Sequence, residues 1–124
     1  MRRSIPLAIS AIFLTLGLAA CTSTTSASDA TPELSDDTII LDVRTQEEYD
    51  AGHLEGAQLL DFNGGEVAAA IPTLDPDAEY LVYCRSGNRA GQAIALMEEA
   101  GFSDLTNLGS LEDAAQTTSI EIVR

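Results

Sequence analysis

The segment that decides the fold is Tyr80-Leu81-Val82-Tyr83-Cys84-Arg85-Ser86-Gly87-Asn88-Arg89-Ala90. A short β-rich apolar run leads into a polar turn containing a glycine. Apolar residues then resume at Ala90, Ala93, Ile94 and Met97, one face of a helix, so the segment reads as strand, loop and helix start. The loop opens on a thiol. Cys84 stands at the C-terminal end of a strand and the mouth of a helix, where free backbone N–H groups and the helix dipole favour negative charge. Such surroundings lower a cysteine pKa from about 8.5 to between about 3.5 and 7.5.

Upstream, Thr38-Ile39-Ile40-Leu41-Asp42-Val43 has the continuous apolar character of a buried parallel strand. Thr45 and Glu48 form the pattern of a capping box for a short helix from Gln46 to Asp50, which Gly52 stops. A second strand is expected over Gln58–Leu60, a weak helix over Glu66–Ile71 ended by Pro72, and a turn at Asp75-Pro76-Asp77 before a strand over Glu79–Tyr83. Downstream, Gly101 closes the helix, a strand covers Leu105–Leu108, and Ser110 caps a helix over Leu111–Ala115. Ser119–Val123 is expected as a terminal strand that fills a vacant sheet edge. Strands alternating with helices through short loops predict an α/β fold, a small parallel sheet with helices on both faces. In such sheets ligands gather beyond the C-terminal strand ends, where Cys84 falls.

The first residues have a different character. Met1-Arg2-Arg3 precedes an uncharged apolar run from Ile5 to Ala20 that ends Leu18-Ala19-Ala20-Cys21. A basic start, a short apolar stretch and small residues at its end make a secretory signal rather than a stable transmembrane helix. The Cys after Leu-Ala-Ala resembles the lipobox of bacterial lipoproteins, which implies cleavage before Cys21 and acylation of that residue. The expected organisation is a signal peptide over 1–20, lipidated Cys21 with a Ser/Thr/Ala/Asp-rich tether over 21–37, and one domain over 38–124. The protein is then extracytoplasmic, held on a bacterial membrane by its lipid without crossing it.

Charge and cysteine usage narrow the chemistry. The net charge is -14, with six basic and twenty acidic residues. Loss of Arg2 and Arg3 on processing leaves four arginines, no lysine and a net charge of -16. Such acidity argues against nucleic acid or anionic lipid surfaces as partners. With Cys21 assigned to lipid, Cys84 has no partner for an internal disulfide, and an exported lone cysteine is either buried and inert or exposed and reactive.

Three segments together resemble the rhodanese-like domain family: Leu41-Asp42-Val43-Arg44-Thr45 with Glu48 and Tyr49, then Gly52-His53-Leu54-Glu55-Gly56-Ala57, then Tyr83-Cys84-Arg85-Ser86-Gly87-Asn88-Arg89-Ala90. Their order carries the likeness from Thr38 to Leu108. The resemblance implies a rhodanese fold and sulfurtransferase activity, with Cys84 taking sulfane sulfur from a small anionic donor such as thiosulfate and passing it to cyanide or a thiol. No cofactor and no metal enter that expectation, and a monomer is expected. Independently of the family, a thiolate at Cys84 would attack the donor sulfur, and loop N–H groups would hold the negative persulfide. Gly87 lets the loop curl. Arg85, Ser86, Gly87, Asn88 and Arg89 are the expected substrate-binding residues, and Arg89, at the helix start, reads as a safer anion ligand than Arg85. Asp42, Arg44, Glu48 and His53 are assigned to structural support, His53 in a turn rather than as a general base.

Loop length bears on the reaction. Cysteine-loop phosphatases use Cys-x5-Arg, whereas four residues separate Cys84 from Arg89. The shorter loop resembles sulfurtransferases, and the longer one their phosphatase and arsenate reductase relatives. The rivals are therefore an arsenate reductase or phosphatase on the same fold, and a non-catalytic anchored module that holds an anion or a protein. The sequence also departs from the family. The usual first strand and helix before Thr38 are nearly absent, and Asn107-Leu108-Gly109-Ser110 stands where members commonly carry two glycines, without the tryptophan that often follows.

Overall fold

Alternate residues along Ile39–Asp42 and Tyr80–Tyr83 enter different cores, as the two-residue period of a strand requires. Leu41, Val43, Tyr80, Val82 and Cys84 pack on one side of the sheet, and Ile40, Leu81 and Tyr83 on the other. A strand buried on both faces has no room for a polar alternation, so these segments read as continuous apolar runs. The computed structural model describes residues 34–124. The proposed signal peptide, Cys21 and most of the tether lie outside the described residues.

The elements, in order, are β1 (Ile39–Asp42), α1 (Gln46–Ala51), β2 (His53–Leu54), β3 (Gln58–Leu59), α2 (Glu66–Ala70), β4 (Tyr80–Tyr83), α3 (Asn88–Glu99), β5 (Leu105–Gly109), α4 (Leu111–Thr118) and β6 (Ile122–Val123), with a 3-10 turn at Ile71–Thr73 after α2. Four strands form a parallel sheet in the order β3-β1-β4-β5. Val67 from α2 and Ala90, Ala93 and Met97 from α3 cover one face, while Ala114 from α4 covers the other. The expected α/β architecture, a parallel sheet between helical layers, is borne out.

Both expected helix starts rest on capping boxes. Thr45 and Glu48 cap α1, and Ser110 and Asp113 cap α4. Helix α4 runs three residues beyond its expected end because Thr118 is buried against the core and returns its hydroxyl to the Ala114 carbonyl at 2.7 Å. Ser119, at φ 60°, then turns the chain out of the helix.

The terminal strand differs from expectation. Instead of joining an edge of the parallel sheet, β6 pairs antiparallel with β2 in a separate ribbon, Leu54 opposite Ile122 and His53 opposite Val123. Val123 and Leu54 thereby bring the C-terminal segment onto the turn at Gly52, where Ile122 Cγ2 lies 3.3 Å from the position a Cβ would occupy. His53 accordingly sits in a strand, and its ring stacks on Tyr49 with centroids 3.6 Å apart.

Candidate active site

Strand β4 delivers Cys84 to the C-terminal edge of the sheet, and the chain must reverse there to enter α3. Gly87 makes the reversal at φ 88°, in the left-handed region that glycine adopts without Cβ strain. A side chain there would also meet Gly109 Cα at 3.2 Å. No side chain caps α3, so its first N–H groups stay available, and they turn to the sulfur. Gly87 N–H donates to Cys84 Sγ at 2.9 Å. Burial by itself would raise the thiol pKa, but the N–H groups of Ala90, Ser86, Gly87 and Arg89 outweigh it and hold Cys84 below the ordinary thiol range. The cysteine is fully buried. Access to it runs through the loop, whose Arg85, Ser86 and Asn88 are exposed.

A ring of hydrogen bonds closes behind the loop. Cys84 N–H donates to the Gly109 carbonyl at 3.0 Å, and Gly109 N–H donates to Asn107 Oδ1 at 2.9 Å. Asn107 Nδ2 then donates to the Gly87 carbonyl at 2.9 Å. The Asn107 amide thus fixes the glycine that supplies the N–H on the sulfur.

Beneath the loop lies a buried ionic frame. The carboxylate of Asp42 accepts from Arg44 N (3.0 Å), Arg44 Nε (2.9 Å), Arg44 Nη2 (2.6 Å) and the Tyr83 hydroxyl (2.8 Å). Arg44 Nη2 also reaches the Gly52 carbonyl at 2.7 Å, and Leu54 N–H donates to the Tyr83 oxygen at 3.0 Å. Among the described residues no buried side-chain nitrogen or oxygen lacks a partner, the condition on which a buried ion pair is tolerated. Burial and the nearby Asp42 carboxylate push the Tyr83 phenol well up, so it stays a donor. The frame ties β1, β2 and β4 together through Tyr83, the residue before Cys84.

With this geometry in hand, the chain can be set beside known proteins. The family model of the rhodanese-like domain matches residues 26–115. The chain belongs to the rhodanese-like domain family. It is 36% identical over 77 residues to the thiosulfate sulfurtransferase PspE of Escherichia coli, an alignment covering 60% of this chain and 72% of PspE. It is 36% identical over 80 residues to the thiosulfate sulfurtransferase GlpE of Pseudomonas fluorescens, covering 64% of this chain and 72% of GlpE. The probable adenylyltransferase/sulfurtransferase MoeZ of Mycobacterium tuberculosis is 39% identical over 72 residues, but the chain spans only 18% of MoeZ. Among solved structures, a rhodanese with anions from E. coli superposes with a TM-score of 0.62 at 31% identity, over 70% of this chain and 98% of that one. The Alr3790 rhodanese domain from Anabaena gives 0.61 at 26% identity, over 70% and 99%.

Within this rhodanese-like frame the residues singled out from the sequence converge, but their roles are redistributed. Arg89 is not free for an anion. Its Nη1 and Nη2 donate to Glu48 Oε2 and Oε1 at 2.8 and 3.0 Å, because α1 brings a carboxylate against the start of α3. That pairing draws the Glu48 carboxyl down to about 2, burial working against it and Thr45 N–H with it. Arg85, expected to be the less committed ligand, is exposed and has no carboxylate among the described residues within ion-pair distance. Asn88 turns its side-chain oxygen to Gln92 Nε2 at 3.1 Å, so it serves the helix. Ser86 and Gly87 contribute N–H groups to the sulfur. His53 Nδ1 lies 2.9 Å from the Tyr49 carbonyl, away from Cys84 in the chain's hydrogen-bond pattern.

Two site residues were missed in the sequence reading. Asn107 and Gly109 looked like a departure from a two-glycine pattern. The signal that could have found them is that a polar residue and a glycine end β5, at the same sheet edge as Cys84. Among the described residues no cluster of three or more His, Cys, Asp or Glu is placed to hold a metal ion.

Proposed function

We propose that this protein is an extracytoplasmic, lipid-anchored sulfurtransferase that carries sulfane sulfur on Cys84 between a small anionic donor and a thiol or cyanide acceptor. The observation that carries the reading is the Cys84 sulfur held by Gly87 N–H at the mouth of an uncapped helix, with a lowered pKa. A thiolate in that cradle attacks the outer sulfur of a donor such as thiosulfate. The sulfur–sulfur bond of the donor breaks, sulfite leaves with the electron pair, and the persulfide's negative charge falls on the same N–H groups. Arg85 is the guanidinium left to draw the donor's sulfonate to the loop. The names of PspE and GlpE as thiosulfate sulfurtransferases support the same chemistry.

Four residues between Cys84 and Arg89, and the commitment of Arg89 to Glu48, disfavour the phosphatase and arsenate reductase reading. A phosphate-cradling loop needs both a wider ring of N–H groups and its terminal arginine free. The export reading rests on the Met1-Arg2-Arg3 start, the apolar run and Leu18-Ala19-Ala20-Cys21.

Thiocyanate production from thiosulfate and cyanide tests the activity. The full chain is expected to turn over and Cys84→Ser to be inactive, with no hydrolysis of p-nitrophenyl phosphate by either. Phosphatase turnover without thiocyanate would overturn the assignment. For the anchor, Cys21→Ala is expected to leave the protein unprocessed or to release it from membranes, and unchanged acylation would count against lipidation.

A further inference from the structure

Two of the three guanidinium nitrogens of Arg44 are spent on the buried frame. Nε and Nη2 donate to Asp42, and Nη2 also to the Gly52 carbonyl. Nη1 has no partner among the described residues. Because no fully buried side-chain nitrogen there lacks a partner, Nη1 is not sealed in, although the residue as a whole is only 6% exposed. Arg44 lines a cleft of about 240 Å³ between α1, the start of α4 and β6, and Nη1 is the nitrogen left to face it. A second cation stands at the rim. Arg124 lines the same cleft, and its Nε–H donates to the Ala51 carbonyl at 3.0 Å, which holds the guanidinium there with both Nη nitrogens unpartnered among the described residues. Ala51, Leu111 and Ile122 add apolar wall, Ile122 being 44% exposed.

We infer that this cleft binds a small monocarboxylate with a short apolar body, at a site apart from the Cys84 cradle. The nearly buried Nη1–H group and the Arg124 fork receive the carboxylate in charge-assisted hydrogen bonds, and the apolar walls cover the body. Two acidic side chains set the charge of the ligand. Glu48 lines the cleft but is taken by Arg89 and Thr45 N–H, whereas Glu112 lines it exposed and without an ion-pair partner among the described residues. Both repel a second negative charge, so a monoanion is favoured over a dianion such as sulfate. The volume lies below the roughly 300–1,000 Å³ of sites for drug-sized ligands, which suits an acid of a few carbons. A neighbouring cleft shares Arg44 and carries Arg85, but it lacks Ile122 and the fixed Arg124. Neither Cys84 nor any residue from Arg85 to Arg89 lines the cleft by β6, so the site stands whether or not Cys84 carries sulfur. Ile122 and Arg124 also lie beyond the residues 26–115 matched by the family model, so this wall is not part of the common frame.

The test is a titration of the isotope-labelled full chain with sodium butyrate at constant ionic strength, followed by amide chemical shifts. Saturating shifts are expected at Gly52, Leu111 and Ile122 with a Kd in the millimolar range, and unchanged affinity after Cys84 is alkylated with iodoacetamide. Acetate, with less apolar body, and sulfate, with two charges, are expected to bind more weakly. Arg124→Gln should weaken butyrate about five-fold or more, and Glu112→Gln should tighten it. Both side chains are exposed, so these variants keep the fold where Arg44 variants would strand Asp42. Shifts that do not saturate, or that centre on Arg85–Arg89 and vanish on alkylation, would overturn the site. So would sulfate binding more tightly than butyrate, or an affinity lost in Arg85→Gln and kept in Arg124→Gln.

Discussion

Arg89 and Glu48 meet across the base of the Cys84 loop in a two-point ion pair, with donor–acceptor distances of 2.8 and 3.0 Å. The same carboxylate accepts Thr45 N–H at 2.9 Å, so one side chain caps α1 and fastens the start of α3 to it. The pair explains why the last arginine of the loop fastens the cradle while the first, Arg85, is left without a carboxylate partner among the described residues.

Removal of the pair should cost stability in a pH-dependent way. Glu48→Gln is expected to lose about 1 kcal/mol at neutral pH, a value held down by partial solvent exposure of both groups. The folded-state pKa lies near 2 against an ordinary 4.5. The carboxylate's contribution is thus fully present above about 4.5 and lost as pH falls through about 2. Urea midpoints of wild type and Glu48→Gln should converge across that window. Parallel pH profiles would contradict the assignment.

The two loop arginines should separate by what they disturb. Arg85→Gln is expected to raise the KM for thiosulfate several-fold with little change in Tm. Arg89→Gln is expected to lower Tm by several degrees, by freeing the Glu48 carboxylate. Because a net charge of -14 surrounds a single uncommitted guanidinium at the loop, moderate salt should lower the apparent KM by screening the repulsion. A KM that rises steadily with salt would show that Arg85 dominates the field.

Asn107 should control the reactivity of a thiol it never touches. Asn107→Ala removes the bond to the Gly87 carbonyl, and Asn107→Asp replaces that donor with a repelling oxygen. Each is expected to shift the pH midpoint of Cys84 alkylation by iodoacetamide upward, with Asp the larger. The charged groups at the loop, Arg85 and the Arg89–Glu48 pair, are the same in wild type and Asn107→Ala, whereas Asn107→Asp adds a carboxylate whose own charge also raises the thiol pKa, so Asn107→Ala is the cleaner test. A residue that only stabilised the fold would lower Tm and leave the midpoint in place.

The buried frame should tolerate little. Tyr83→Phe leaves Leu54 N–H without its acceptor and removes a donor from the fully buried Asp42. The expected loss is about 1–3 kcal/mol in urea unfolding, the cost of orphaned buried polar groups. An unchanged midpoint would mean that water replaces the hydroxyl.

The strand, loop and helix around Cys84 were legible because their signals are local: a β-rich run, a glycine that must adopt positive φ, and apolar residues three and four apart. Both capping boxes were legible for the same reason. The partner of Arg89 was not, since Glu48 lies 41 residues away in the chain and nothing in local spacing says which of twenty acidic residues will meet it. The pairing of β6 was hidden for a similar reason. A two-residue strand has too short a pattern to specify its neighbour, and β2, equally short, became a pairing site only after the turn at Gly52 had placed it. Asn107 reads as an ordinary polar residue until β5 is set beside β4.

The central claim is that Cys84 carries sulfur, and its most direct test is intact mass. The full chain incubated with thiosulfate and freed of excess donor should gain the mass of one sulfur atom, lose it on addition of cyanide, and gain nothing as Cys84→Ser. A wild-type chain that keeps its original mass with thiosulfate and with other sulfane donors would contradict the account and leave the loop as a binding device.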